Sequence, residues 1–312
     1  MCEVWALIGD YVQLARPAHW VKNLAVFAGP AFALRLFDAA SVWKAGIAFA
    51  AFCLVSSASY AVNDAVDREV DARHPAKRNR PVARGAIRPV WAVVFALVLR
   101  AIGMALSEVL LPRAATAMVG LHFLLILAYS ITLKKRVILD VIVIAAGFVL
   151  RASAGAKAVE VVISPWLVIC TFTVCMFMGF GKRRCELASF ANLEQAHEHR
   201  PTLLRYTPDL LNHLLSVTGG IAIMTFVLYT MDRHPLRQPP FEKENLLYTL
   251  PLVVYGIFRY VMLSETGKLP GPTEILLKDR PFLATVVLWA VITVAVIYGD
   301  RLPGLRALMG SS

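Results

Sequence analysis

Nine stretches of mainly apolar residues, most close to twenty residues long, restrict what this chain can fold into. They lie near 24–37, 42–66, 90–110, 114–133, 137–155, 162–180, 212–231, 246–263 and 282–299. About 20 such residues cross the hydrocarbon layer as a helix. Within lipid, only helices and closed barrels satisfy their own backbone groups. Unbroken apolar runs of this length predict an all-α integral membrane protein, a nine-transmembrane-helix bundle whose first span is short and second is long. Asp, Glu, Lys and Arg supply only 17% of the 312 residues, below the roughly 25% of a soluble domain. The longest polar connection, 181–211, is too small for a domain of its own, so 1–312 reads as a single transmembrane domain.

The amino-terminal residues lack a basic start followed by an apolar run, because Glu3, Asp10, Arg16 and His19 are scattered among apolar neighbours. Residues of about 3–18 read instead as a short helix lying on the membrane surface. Five cysteines, at 2, 53, 170, 175 and 185, show no CxxC spacing and read as small core hydrophobes. The small-residue run 145-AAGFVLRASAGA-156 would let neighbouring helices approach closely.

Loop charge sets the orientation. Alternate loops at 67–89, 134–136, 181–211 and 264–281 hold eighteen Lys and Arg, against seven in the others. By the positive-inside rule the rich side is cytoplasmic, and so is the amino terminus. The net charge of +11 therefore requires no nucleic-acid partner. Orientation accounts for part of it and anionic substrates for the rest.

The stretch 63-NDAVDREVDARHPAKRNRP-81 is the densest charge in the chain. Asp64, Asp67 and Asp71 follow i, i+3, i+7 spacing, which places them within about 60° on one helix face, with Asn63 beside them. Three like charges there repel unless a cation sits among them, and carboxylate oxygens suit Mg²⁺. A solvated helix end balanced by Arg68 and Arg73 is the plain alternative. Next in sequence, Lys77, Arg78 and Arg80 offer phosphate donors, with Arg73 and Arg84 flanking them. Polar residues recur at the same predicted membrane face: Lys22 and Asn23, then Tyr129, Lys134 and Arg136, then Lys182, Arg183, Arg184 and Glu186. Lys182 and Glu186 stand i, i+4 and are also placed to pair with each other. Arg100, Asp140, Arg151 and Arg259 fall in or near spans, where a charge demands a partner or a polar cavity.

The patterns NDxxDxxxD at 63–71, HPxKRxRPxAxG at 74–85 and RPxHWxKN at 16–23 resemble the UbiA superfamily of intramembrane prenyltransferases over essentially the whole chain. That resemblance implies a nine-helix bundle with a pocket near the cytosolic face and a Mg²⁺-bound diphosphate. One departure is informative. Members that use prenyl diphosphate carry a second Asp-rich motif, where this chain reads GKRRCELASF at 181–190. With YSxxLK at 129–134, GKRxxEL at 181–187 and KDRP at 278–281, the chain is similar to the branch acting on decaprenyl phosphate.

In that branch the lipid phosphate is the acceptor and the diphosphate belongs to 5-phosphoribosyl-1-diphosphate (PRPP). The resemblance implies metal ligation by Asp64, Asp67 and Asp71, and catalytic roles for Asp64, Asp67 and Lys182. It assigns Lys22, Asn23 and Lys77 to the diphosphate. Lys134, Arg136, Lys182 and either Arg183 or Arg184 are assigned to the 5-phosphate or the lipid phosphate, and Glu186 to Lys182 or a ribose hydroxyl. It further implies arabinose-donor synthesis for the cell wall, an inner-membrane location and a homo-oligomer. Two rivals remain: a prenyltransferase using an aromatic acceptor such as 4-hydroxybenzoate, and a transporter of an anionic solute. Charge gathered at one face rather than at mid-depth opposes the transporter.

Overall fold

The computed structural model describes residues 2–73, 77–189, 203–232, 241–269 and 271–299. His74 and Pro75 of the basic motif, and residues 233–240, lie outside the described residues. Among the described residues all regular structure is helical, and eight helices are long and apolar enough to cross a membrane. The chain is an integral membrane protein. The expected ninth span, 24–37, takes a different form. Pro17–Phe27 is a 3-10 helix that runs into α2, Ala28–Phe32, and neither has the length of the other eight. It follows α1, Cys2–Ala15.

The chain divides into two compact units, one formed by 1–31 and 35–161 and the other by 32–34 and 162–312. In the first unit α3, Ala39–Val66, is central. Asp38 caps it, accepting from the Ala40 and Ser41 backbone N–H groups. Its 28 residues extend about 42 Å at ~1.5 Å per residue, well beyond the ~30 Å hydrocarbon layer. One end carrying Asn63 and Asp64 therefore has length to project past the apolar zone.

Around α3 pack α1, the 3-10 helix, α5 (Pro89–Leu110), α6 (Arg113–Ile131) and α7 (Leu139–Ala158). The short α4, Arg68–Arg73, follows α3 directly. Close approach rests on small residues. Ala45, Ala48, Ala51, Ala58 and Ala61 of α3 are fully buried, and a Cβ on Gly103 of α5 would meet Val55 Cγ2 at 3.0 Å and Ala51 O at 3.2 Å. The expected small-residue run on α7 works the same way against the 3-10 helix and α2. Gly155 faces the Val26 carbonyl, and Gly29 faces Ala156. On α5 the residues Val90, Val94, Leu97, Val98, Ile102 and Val109 are exposed. An apolar outer face is what a helix surrounded by lipid requires.

The second unit contains α8 (Pro165–Ser189), α9 (Pro208–Met231), a 3-10 turn at Lys243–Thr249 leading into α10 (Leu250–Thr266), α11 (Pro272–Lys278) and α12 (Arg280–Tyr298). Gly181 of α8 lets the buried Tyr260 ring of α10 lie against the helix backbone. Asp279 of the KDRP motif does two local jobs. It accepts two hydrogen bonds from Arg259, at 2.7 and 2.8 Å, and caps α12 through Phe282 N–H.

The Arg259 hydrogen bond holds the Asp279 carboxyl below its ordinary 3.8. A depressed carboxylate stabilises the fold above its unfolded value, and that contribution disappears as pH falls through the folded value. Asp279→Asn is thus expected to lower the apparent melting temperature at neutral pH, with the difference from wild type closing as pH drops below 3.8. Parallel melts from pH 7 to 3 check this. A gap that persists unchanged in acid would rule it out.

Candidate functional site

The acid face forms where α3 ends. Asp67 terminates α3 with ψ near 9°, yet its N–H still donates to Asn63 O, and Asp71 N–H donates to Asp67 O. The hydrogen-bond ladder thus crosses the break into α4 and keeps Asn63, Asp64, Asp67 and Asp71 close to helical register. Asp64 and Asp71 are each only 2% exposed. Carboxylates so buried must be paired, and Arg16 together with the basic stretch just after α4 provides the partners.

Asp64 Oδ1 accepts from Arg16 Nη2 at 2.6 Å and from Arg80 Nη1 at 3.1 Å. The same Arg80 nitrogen donates to Asp71 Oδ2 at 2.6 Å, and Lys77 Nζ lies 3.6 Å from Asp71 Oδ1. Lys134 Nζ donates to both Asp67 oxygens, at 2.6 and 2.8 Å, and to Asn63 Oδ1 at 3.3 Å. The three carboxylates therefore do not gather at one point, as a single three-aspartate metal site would require. Among the described residues no group of three or more His, Cys, Asp or Glu side chains is arranged to hold a metal unaided. Two cation positions result instead. One lies between Asp64 and Asp71 and is filled by a guanidinium; the other lies against Asp67 and Asn63 and is filled by an ammonium.

Arg68 and Arg73, the balancing charges of the plain alternative, are exposed. Arg16 stood in sequence as a scattered amino-terminal charge and the first letter of RPxHWxKN, and nothing there linked it to Asp64. It sits between α1 and the 3-10 helix with φ 53° and ψ 61°, and its guanidinium lies 5.1 Å over the Tyr60 ring. A left-handed arginine costs about 1–3 kcal/mol of backbone strain, of the kind stored at functional sites. Ile138 also has positive φ, 69° with ψ −48°, outside the left-handed helical region, and stands where the Lys134 turn enters α7.

Other expected site residues fall elsewhere. Asn23 is turned inward, accepting from Arg151 Nε at 2.7 Å and donating to Cys53 Sγ at 3.3 Å. That interaction meets the need of the Arg151 charge for a polar partner. Arg100 lies over the Phe123 ring at 4.7 Å, and Asp140 is fully buried in the first turn of α7. Lys22, Arg78 and Arg136 are exposed, and Tyr129 is half-buried near the end of α6.

In the second unit Lys182, Arg183, Arg184 and Glu186 share the final turns of α8. Arg183 is buried and donates to Glu186 at 2.7 Å, while Arg184 Nε donates to Asn212 at 2.9 Å. Lys182 is half-exposed at 53% and lies 3.9 Å from Glu186. Of the three cations it is the one most open to a ligand.

Residues 24–188 match the UbiA prenyltransferase family. Over 297 residues the chain is 30% identical to the decaprenyl-phosphate phosphoribosyltransferase of Corynebacterium glutamicum, covering 94% of this chain and 88% of that one. The protein of the same name from Mycolicibacterium smegmatis is 31% identical over 300 residues, with 94% and 93% covered. A solved UbiA homologue from Archaeoglobus fulgidus bound to GPP and Mg²⁺ has a TM-score of 0.69 over 93% of this chain and 98% of that one. Its identity is 16%, so that likeness is one of fold.

Proposed function

The chain belongs to the UbiA prenyltransferase family, and from that premise we propose that it transfers 5-phosphoribosyl from PRPP to decaprenyl phosphate. The observation that carries this reading is 30–31% identity, over 94% of the chain, to proteins named for that transfer. The acceptor phosphate oxygen attacks C1 of the ribose with inversion as the bond from C1 to the diphosphate oxygen breaks. Polyprenyl-phosphate 5-phosphoribose and diphosphate leave. The acceptor is already an anion at neutral pH, so no side chain need remove a proton.

The acid face fits a divalent cation. Arg80 Nη1 already bridges oxygens of Asp64 and Asp71, and Lys134 Nζ sits among three oxygens of Asp67 and Asn63. Hard oxygen ligands of this kind suit Mg²⁺, which would neutralise the diphosphate. Arg16, Lys77, Arg80 and Lys134 supply N–H donors around the leaving group, where fixed donors stabilise developing charge. In the second unit, exposed Lys182 is assigned to a phosphate, while the Arg183–Glu186 and Arg184–Asn212 contacts shape its helix end.

The loop charge bias supports a cytoplasmic acid face and amino terminus, in the inner membrane. The 3-10 helix and α2 supply the ninth crossing of this reading. Eleven residues at ~2.0 Å and five at ~1.5 Å reach about 30 Å, the hydrocarbon thickness.

The test uses purified protein in detergent with Mg²⁺. One reaction receives PRPP and decaprenyl phosphate; another receives a prenyl diphosphate and 4-hydroxybenzoate. Mass spectrometry of the lipids should show EDTA-sensitive polyprenyl-phosphoribose in the first reaction alone. Prenylated benzoate in the second, with nothing in the first, would replace this reading by prenyl transfer.

A further inference from the structure

We propose that Lys134 is a resident counter-ion that competes with the divalent metal for Asp67 and Asn63, so that metal is held tightly only together with a diphosphate. The inference rests on the reading above only in taking the acid face to bind a metal and a diphosphate. Three observations carry it.

First, the ammonium is placed as a metal would be. Its nitrogen has three oxygen neighbours, both from Asp67 and one from Asn63, at 2.6, 2.8 and 3.3 Å. An ammonium and a divalent cation cannot share those oxygens, because their like charges would stand within a few ångströms.

Second, the attachment suits movement. Lys134 belongs to a three-residue 3-10 turn, Leu133–Lys135, between α6 and α7. Its four-carbon stem is flexible and its charge is a compact point. The guanidinium of Arg80 differs, since one nitrogen ties two buried carboxylates together.

Third, the carboxylates are already more than neutralised without metal, four cations standing against three acids. Arg16, Lys77, Arg80 and Lys134 engage Asp64, Asp67 and Asp71, so a bare metal ion must displace a partner to enter. A diphosphate offers Lys134 a replacement anion. The ammonium moves from carboxylate to phosphate oxygen, and the metal takes the oxygens it leaves. No bond breaks and no proton moves in this exchange.

The arrangement makes opposite predictions for two affinities of one variant. Lys134→Met removes the competitor, so the substrate-free protein should bind metal more tightly. It also removes a phosphate donor, so the gain in metal affinity on adding diphosphate should shrink. An ordinary substrate-binding lysine would leave the bare metal affinity unchanged, and a structural lysine would weaken both.

Mn²⁺ serves as the probe, with free Mn²⁺ read by electron paramagnetic resonance on detergent-purified full-length protein, with and without inorganic diphosphate. Lys134→Met is expected to raise bare Mn²⁺ affinity by about 10-fold or more, the scale of one adjacent charge. Lys134→Arg should retain the wild-type order. If Lys134→Met elutes as aggregate, Lys134→Gln replaces it. In an Asp67→Asn background the Lys134→Met gain should vanish; a gain that survives there would overturn the proposal, because competition would not be at Asp67.

Unchanged or weaker bare Mn²⁺ binding in the folded variant would also overturn it. No Mn²⁺ binding by any form, with diphosphate present, would overturn both this exchange and the metal in the proposed function. Turnover is not read in these measurements, so a failure of phosphoribosyl transfer alone shows up separately, in the lipid products.

Discussion

Asp64→Asn is expected to reduce turnover by at least about 10²-fold, with saturating Mg²⁺ giving no recovery, the scale seen when one preorganised charge-stabilising group is removed. The amide keeps the shape of the carboxyl but gives up its charge. Asp64 is 2% exposed, and its Oδ1 is the common acceptor for Arg16 and Arg80. Two guanidiniums would then face a neutral oxygen, and the cation position shared with Asp71 would keep one carboxylate. Elution profile and melting curve should show a folded protein, which separates lost chemistry from lost structure. Near-normal turnover at high Mg²⁺ would remove Asp64 from the metal face.

Gly155→Ala should have the largest effect on stability. A Cβ at this position would stand 1.7 Å from Val26 O and 2.7 Å from Val26 C. Those are backbone atoms of the 3-10 helix, so no side chain can rotate out of the way. Overpacking of this kind costs about 1–3 kcal/mol or more, and relief requires moving the segment that carries Asn23 and follows Arg16. A lower apparent melting temperature in detergent is therefore expected together with lower turnover. Gly46→Ala is the matched comparison, because nothing lies within 4 Å of a Cβ there. In a helix it should be neutral or stabilising, by up to about 1 kcal/mol. Equal melting temperatures for Gly155→Ala and wild type would mean that the 3-10 helix is not seated on α7 as described.

Eight of the nine apolar runs became helices, because hydrophobic length is a local quantity written along the chain; the sixth, expected to end at 180, continues to Ser189, so the start of the expected 181–211 connection is helical. The run at 24–37 did not become such a helix, although its composition is similar. Its amino-terminal part lies in the Pro17–Phe27 3-10 helix, where Gly155 of α7 allows the backbone to approach closely. The acid face was equally legible, since i, i+3, i+7 spacing needs only helical geometry. The basic clusters were legible as charge but not as roles. Asn23 and Lys22 are adjacent in sequence, yet one is buried on Arg151 and the other exposed. Likewise Arg183 and Lys182 are neighbours on α8, one buried against Glu186 and the other open.

By itself, then, the sequence determined a helical membrane protein with three aspartates on one helix face and an excess of cations to meet them. Only the tertiary structure decided which cation meets which carboxylate. Arg16 reaches Asp64 across 48 residues and Lys134 reaches Asp67 across 67. The physical reason is range. Helix length and facial spacing follow from neighbours a few residues apart, whereas a buried carboxylate takes its partner from whichever connector the packed helices bring within 3 Å.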